Sequence, residues 1–231
     1  MPRRARIAVA GIPWHIIQRG NNRSACFYTE SDNNYFLSTL AEQALKWHCE
    51  VHAYVLMTNH FHLLITPHYR ESAANMMKHL GQRYVQYINR TYRRSGTLWE
   101  GRFRSCLAQE QAYALTCQRY IELNPVRADM VTDPSNYPWS SYRANALGES
   151  NPVLTPHPDY LALGANDADR RSHYRHLFDA HLDEQAIADI RSATNGNYVL
   201  GNQQFQNEIE KMLGRRVTQG KPGRPKRLVK H

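Results

Sequence analysis

The stretch from Val51 to Pro67 reads V-H-A-Y-V-L-M-T-N-H-F-H-L-L-I-T-P. Two β-prone runs flank a short break at 57–59, a pattern that predicts a buried β-hairpin. Side chains of a strand alternate between the two faces of its sheet. His60 and His62 therefore share one face of the predicted sheet, and Phe61 lies on the opposite face, toward the core.

The two histidines are candidate metal ligands, because neutral imidazoles held side by side on a rigid strand can bind a divalent ion. A polar, solvated sheet face gives the same His-x-His pattern and is its more common origin. The pattern alone therefore leaves both interpretations open, and other parts of the chain have to separate them.

Positive charge lies in the first part of the chain and in its C-terminal tail, with an acidic stretch between them. The 231 residues carry a formal net charge of +9, with +6 in residues 1–150, −4 in 151–213 and +7 in 214–231. This distribution indicates a polyanionic partner such as nucleic acid. No apolar run has the length of a membrane-spanning helix, and the N-terminus lacks the apolar segment of a signal peptide, so we expect a cytoplasmic, nucleoid-associated protein.

Apolar periodicity predicts the order strand, helix, strand, strand, helix, strand, helix. The first helix follows a candidate N-cap at Ser31, the second spans 71–92, and the third spans 110–123 and should end before Pro125. This order is typical of an α+β ferredoxin-like (RRM-like) split β-α-β sandwich with an antiparallel-rich sheet. We expect the helices on one face of this sheet, so that the open face carries the two histidines.

The composition divides the chain into three regions. Residues 1–150 hold the predicted sandwich. Residues 151–213 are predicted to be a helical extension with a Pro-rich, linker-like start and candidate helices at 181–194 and 202–213. Residues 214–231 lack acidic residues and apolar periodicity, which predicts a disordered basic tail.

The third predicted helix supplies groups that complete a reaction site. Tyr120 and Asn124 are four residues apart and therefore share one helix face. If that face packs beside the hairpin, two imidazoles and an amide oxygen can hold a divalent ion against a phosphate, and the tyrosine hydroxyl can attack phosphorus. Each residue alone is weak evidence, since such a tyrosine is usually core or surface and an asparagine before proline is usually a cap.

Together these motifs resemble those of the REP-associated tyrosine transposases, which belong to the single-tyrosine HUH transposase superfamily. The resemblance rests on H-F-H at 60–62 and on Y-I-E-L-N-P-V-R-A at 120–128. It covers roughly residues 1–145 and includes similar motifs at 18–23, 98–103 and 137–142.

This resemblance implies a DNA-transposition enzyme that nicks and rejoins single-stranded DNA at REP palindromes, which are hairpins with a guide tetranucleotide beside the stem. It implies Mg or Mn as the cofactor, with His60, His62 and Asn124 as ligands and Tyr120 as the nucleophile that forms a 5′-phosphotyrosine. It leaves open whether the protein is a monomer or a homodimer. The candidate DNA contacts are Arg3, Arg4, Arg6, Arg19, Asn21, Asn22, Arg23, Arg83, Arg90, Arg102, Arg104 and, in the tail, Arg224.

Two other functions fit parts of the pattern. A metal-dependent nuclease would use water in place of Tyr120, and a non-catalytic RRM-like module would bind nucleic acid without chemistry. RRM modules carry aromatic side chains on the open sheet face for base stacking, whereas this chain is predicted to carry histidines there. A covalent protein–DNA adduct would distinguish the transposase from both alternatives.

Overall fold

The structure, a computed structural model, describes residues 6–111 and 113–220. Its strands are β1 (Trp14–Arg19), β2 (Cys49–Met57), β3 (His60–Pro67), β4 (Arg104–Ala108) and β5 (Val199–Leu200). Its α-helices are α1 (Glu30–Lys46), α2 (Ser72–Thr91), α3 (Ala114–Glu122), α4 (Asn124–Arg127), α5 (Pro158–Leu161), α6 (Asp167–His176), α7 (Glu184–Gly196) and α8 (Gln203–Leu213). Over the described ranges, no helix combines the length and the hydropathy needed to cross a membrane.

The five strands form one sheet in the order β2-β3-β1-β4-β5, antiparallel except for the parallel pair β4–β5. The first four strands in this order, connected through α1 and α2, have the ferredoxin-like arrangement that the sequence predicted. The register puts Ile17 opposite His62 and Arg19 opposite His60. Opposite residues of an antiparallel pair share a sheet face, so the alternation of β1 also places His15 on the histidine face.

Helices α1 and α2 cover the sheet face that Phe61 enters. Phe61 is buried against Phe36 of α1 and against Trp99, at ring-centroid distances of 4.7 and 5.6 Å. Tyr84 of α2 belongs to the same cluster and donates its hydroxyl hydrogen to the carbonyl oxygen of Cys26. Burial of several aromatic side chains makes this face a main source of folding stability.

The histidine face is not open, and that part of the prediction was wrong. Helices α3 and α7 pack on it, where Val55 and Leu64 of the sheet join Ile121 of α3 and Ile190 of α7 in one apolar cluster. The burial of strand β2 agrees with a sheet that is covered on both faces, because residues 51–57 are all buried. Continuous burial is the pattern of a strand that is covered on both faces.

The helical path continues beyond the end predicted for the third helix. Helix α3 ends at Glu122, and α4 starts at Asn124 after the single residue Leu123. We predicted that Pro125 would end the helix, but the helical path continues through it. Pro125 lies in the first turn of α4, where its missing N–H needs no partner. The added turn carries Arg127 back over α3.

The segment predicted to be linker-like is folded. Helix α5 lies within it, α6 begins at its end, and Tyr160 and Tyr174 of these helices are buried. The buried carboxylate of Glu122 accepts hydrogen bonds from Ser141, Asn145 and Tyr174, which joins α3 to α6. Burial raises the pKa of Glu122 to about 7, although the donated hydrogen bonds act in the opposite direction.

Candidate active site

A cleft of about 290 Å³ opens on the histidine face, at the meeting point of β1, β3, α3, α4 and α7. The structure brings together in it the four residues that were predicted to act in the reaction: His60, His62, Tyr120 and Asn124. The other lining residues are His15, Ile17, Arg19, Met57, Arg127, Ala128, Arg191, Thr194 and Asn195. The sheet and the C-terminal helix α7 therefore both contribute to its wall.

Each histidine of the pair has a protein partner at its Nδ1 atom. Nδ1 of His60 lies 2.6 Å from Oδ1 of Asn59, whose Nδ2 donates to the carbonyl oxygen of Arg23. An amide oxygen can only accept, so His60 donates from Nδ1 and its Nε2 keeps a lone pair. Nδ1 of His62 lies 2.8 Å from Nε2 of His15.

Burial keeps both rings of the pair neutral. It lowers the pKa of His60 to about 4, and the charge of Arg19 adds to this effect. It also lowers the pKa of His62 well below the usual range, with further repulsion from His15, His60, Arg127 and Arg19. Neutral imidazole is the form that binds a metal ion, so both rings are available as ligands near neutral pH.

Tyr120 of α3 places its ring in the same cleft. The ring meets His62 and His15 edge-on, at centroid distances of 5.8 and 5.6 Å. The guanidinium carbon of Arg127 lies 4.6 Å from the centroid of the tyrosine ring. The tyrosine ring is therefore close both to the two imidazoles and to a positively charged guanidinium group.

Asn124 anchors its side chain against the end of α3. Its Nδ2 donates to the carbonyl oxygens of Tyr120 and Ile121, at 2.8 and 3.3 Å. These bonds cap the last turn of α3 and leave Oδ1 as the acceptor for a ligand in the cleft. The two interpretations of this residue, cap and ligand, are compatible because they use different atoms.

The donor set in the cleft fits a divalent cation with open coordination positions. It offers one ring nitrogen from each of His60 and His62 and the amide oxygen of Asn124. Within residues 6–111 and 113–220, no three His, Cys, Asp or Glu side chains are grouped to hold a metal ion, so a site here depends on the amide. Three neutral ligands leave positions for water or a phosphate oxygen.

Sequence reasoning missed five polar residues of the cleft, namely His15, Arg127, Arg191, Thr194 and Asn195. Alternation along β1 can assign His15 to a sheet face, but only the pairing with β3 brings its ring beside that of His62, with 5.0 Å between ring centroids. Arg127 lay beyond the expected end of the third helix. The other three belong to α7, and no local pattern connects that helix to the hairpin.

A groove rich in arginine leads away from the cleft. Its first part, about 300 Å³ in volume, shares Ile17, Arg19 and Asn195 with the cleft. Its second part, about 350 Å³, shares Arg102, Arg104 and Asn195 with the first. We name both parts the arginine groove. Five predicted DNA contacts line it: Arg6, Arg19, Arg23, Arg102 and Arg104.

The remaining predicted DNA contacts lie elsewhere. Arg83 of α2 is paired with Glu42 of α1, and Arg90 is exposed near the end of α2, so neither borders the arginine groove. Asn21 and Asn22 form an exposed turn after β1. Arg3, Arg4 and Arg224 lie outside the described residues, as does most of the predicted basic tail.

Comparison with known proteins connects the cleft to a family. Residues 8–124 match the sequence model of the family described as "Transposase IS200 like". No curated protein matches the chain. Among solved structures, a REP-associated tyrosine transposase bound to a REP hairpin shares the fold, with a TM-score of 0.56 at 16% identity over 68% of this chain and 93% of that chain. A putative transposase from Deinococcus radiodurans R1 is 20% identical over 52% of this chain and 96% of its own, but its TM-score of 0.37 is too low to establish a common fold.

Proposed function

This chain belongs to the IS200-like transposase family, whose model matches residues 8–124, and we propose that it nicks and rejoins single-stranded DNA beside REP-type hairpins through a 5′-phosphotyrosine. The observation that carries the proposal is one cleft in which Tyr120 lies edge-on to His62 while Asn124 is anchored one helical turn later. The structural relative that is bound to a REP hairpin supports hairpin DNA as the substrate.

In this proposal, Nε2 of His60, Nε2 of His62 and Oδ1 of Asn124 hold Mg or Mn. A bound divalent cation polarises a non-bridging oxygen of the scissile phosphate as a Lewis acid. The protein holds the three ligand atoms in place on two elements, strand β3 and the junction of α3 with α4. Because all three ligands are neutral, the complex with a bound divalent cation would keep the full formal charge of the cation for interaction with the phosphate.

Tyr120 supplies the nucleophile. Its hydroxyl oxygen forms a bond to phosphorus and releases its proton to solvent, while the bond from phosphorus to the 3′ oxygen breaks and that oxygen takes up a proton. In-line attack places the leaving oxygen opposite the phenol. The resemblance to REP-associated transposases, and not the geometry, assigns the 3′ oxygen as the leaving group. A phosphodiester is exchanged for a phosphotyrosine ester, so the reverse reaction can rejoin strands without ATP.

The arginine groove is the proposed path of the DNA strand. Of the described residues that line it, only Glu100 is acidic. Arg104 is held in place by Oδ1 of Asn195, which accepts its hydrogen bond at 2.7 Å. Contacts of this kind to phosphates position a strand without reading its bases.

The structure argues against one of the two alternative functions and leaves the other to be tested by experiment. A non-catalytic RRM-like module is disfavoured, because α3 and α7 occupy the sheet face that such modules use for base stacking. A metal-dependent nuclease would use the same histidines with water as the nucleophile, so experiment has to separate it from the transposase.

Labelled hairpin oligonucleotides with a single-stranded flank provide that test. The wild-type protein should form an adduct that survives denaturing electrophoresis and release a free 3′ hydroxyl. Tyr120→Phe removes one oxygen and little packing, so it should bind the hairpin normally and lose cleavage and adduct together. Tyr113→Phe, at the residue before α3, is the matched control and should keep both. Cleavage by Tyr120→Phe without an adduct would instead support the nuclease.

A further inference from the structure

His15 of β1 links the histidine pair to the C-terminal helix α7. Its ring lies edge to edge with that of His62 and nearly coplanar with it, at 8° between the planes, and its Nε2 lies 2.8 Å from Nδ1 of His62. Its Nδ1 lies 2.8 Å from Oγ1 of Thr194. All three side chains are buried, so solvent does not replace these partners.

The hydrogen atoms of this chain of bonds have one arrangement that leaves His62 able to bind a metal. Oγ1 of Thr194 lies 2.7 Å from the carbonyl oxygen of Ile190, which can only accept, so the hydroxyl hydrogen points there. Oγ1 therefore accepts from Nδ1 of His15, with the thiol of Cys106 at 3.2 Å as a second donor. In neutral His15 the lone pair is then on Nε2, which accepts from Nδ1 of His62. The lone pair of His62 is thereby placed on Nε2.

We propose that His15 and Thr194 are positioning residues that fix the tautomer and the ring orientation of His62, so that helix α7 completes the metal site. The inference rests on the proposed function. Partners behind a ligating histidine hold its ring and raise its basicity, and losing them typically costs about 10- to 100-fold in metal affinity. The family match ends at residue 124, so α7 adds a support that lies outside the matched segment.

The two histidines of the pair differ in the origin of their support. His60 is oriented by Asn59, its neighbour in the hairpin turn, whose amide donates to the carbonyl oxygen of Arg23, so this support does not involve α7. His62 is oriented through His15 by a hydroxyl of α7. Metal affinity should therefore depend on the docking of α7 through His62 alone.

Manganese binding to the full-length protein without DNA, followed by electron paramagnetic resonance, tests this proposal. Thr194→Val removes the hydroxyl and keeps the shape, and should raise the Kd for manganese about tenfold or more. Thr194→Ser keeps the hydroxyl and should bind manganese like the wild type. Thr39→Val is the matched control, because buried Thr39 also donates to the carbonyl four residues back, Tyr35, but belongs to α1 on the opposite sheet face.

His15→Phe provides a second measurement, because it keeps an aromatic ring beside His62 and removes both nitrogens, and it should weaken manganese binding at least as much. Wild-type affinity in either folded variant, Thr194→Val or His15→Phe, would overturn the proposal. His62→Ala separates this failure from failure of the proposed function. If His62→Ala alone lowers the affinity, the metal site stands and the role of His15 and Thr194 is wrong. If His62→Ala binds manganese like the wild type, the proposed metal site is wrong, and so is the positioning role of His15 and Thr194.

Discussion

The buried histidine of β2 and the histidine pair of β3 use their ring nitrogens differently. His52 donates from Nδ1 to the carbonyl oxygen of Thr155 at 2.7 Å and accepts at Nε2 from the hydroxyl of Thr66 at 2.8 Å. His60 and His62 have partners at Nδ1 and, in the described part of the chain, none at Nε2. Both regions bury imidazoles in neutral form. The difference teaches that burial of a histidine is by itself explained by packing, whereas a ring nitrogen without a partner in a cleft indicates a candidate site.

Replacing the imidazoles one at a time is the strongest test of this comparison. His60→Ala and His62→Ala should each reduce hairpin cleavage to background, whereas His52→Gln should keep it because neither ring nitrogen of His52 reaches the cleft. A chelator should abolish cleavage by the wild type, and manganese should restore it at least as well as magnesium, since imidazole is the softer ligand. Strong cleavage in chelator would contradict the metal site.

The same strand offers a second contrast, because Phe61 lies between the two histidines and enters the opposite face. Phe61→Ala should lower the free energy of unfolding by about 3 to 5 kcal/mol, the usual cost of deleting a buried aromatic ring. Denaturation in urea measures this change. Cleavage per folded molecule should persist at low temperature, since Phe61 has no atom in the cleft. Full stability together with lost cleavage would reverse the assignment of the two faces.

Sequence reasoning found the parts of the site that local patterns encode. Alternation along β3 separated Phe61 from its flanking histidines, and the four-residue spacing put Tyr120 and Asn124 on one side of the α3–α4 path. Both rules need only neighbouring residues. Combined with the predicted hairpin and the ferredoxin-like strand order, these two rules made it predictable that the histidine pair, Tyr120 and Asn124 would meet in one cleft. Their catalytic and ligand roles stay predictions.

The parts that were missed depend on contacts between distant residues or on weak periodicity. The cover on the histidine face comes from α7, whose docking depends on packing of Ile190 and Ala193 against remote strands. Helix α6 has only Tyr174 as a buried residue, so it shows no apolar stripe. The N-cap of α1 is Thr29 and not Ser31, because the carboxylate of Asp32 completes a capping box with Thr29.

His52 should make the stability of the fold depend on pH. Burial lowers its pKa to about 4, from an ordinary value of 6.5. The neutral ring therefore contributes stability that is present above pH 6.5 and is lost as the pH falls through 4, a loss of about 3 kcal/mol. Other buried histidines shift in the same direction, so the quantity to measure is the difference in unfolding free energy between wild type and His52→Gln. The stability of the wild type relative to His52→Gln should decrease as the pH falls from 7 to 4. A difference that stays constant with pH would contradict the prediction.

The smallest expected effect concerns the arginines, where the chain offers a matched pair on opposite sides of the sheet. Arg104 lines the arginine groove, whereas Arg83 pairs with Glu42 on the helices that cover the other face. A bound phosphate releases counterions, so Arg104→Ala should weaken binding to the single-stranded flank several-fold and lower the salt slope of log K by about 0.7. Arg83→Ala should change neither quantity, because it removes a charge that is already paired with a carboxylate. Fluorescence anisotropy across a salt series measures both variants. Equal losses in the two would indicate a general effect of net charge, and the arginine groove would no longer be supported as the path of the DNA.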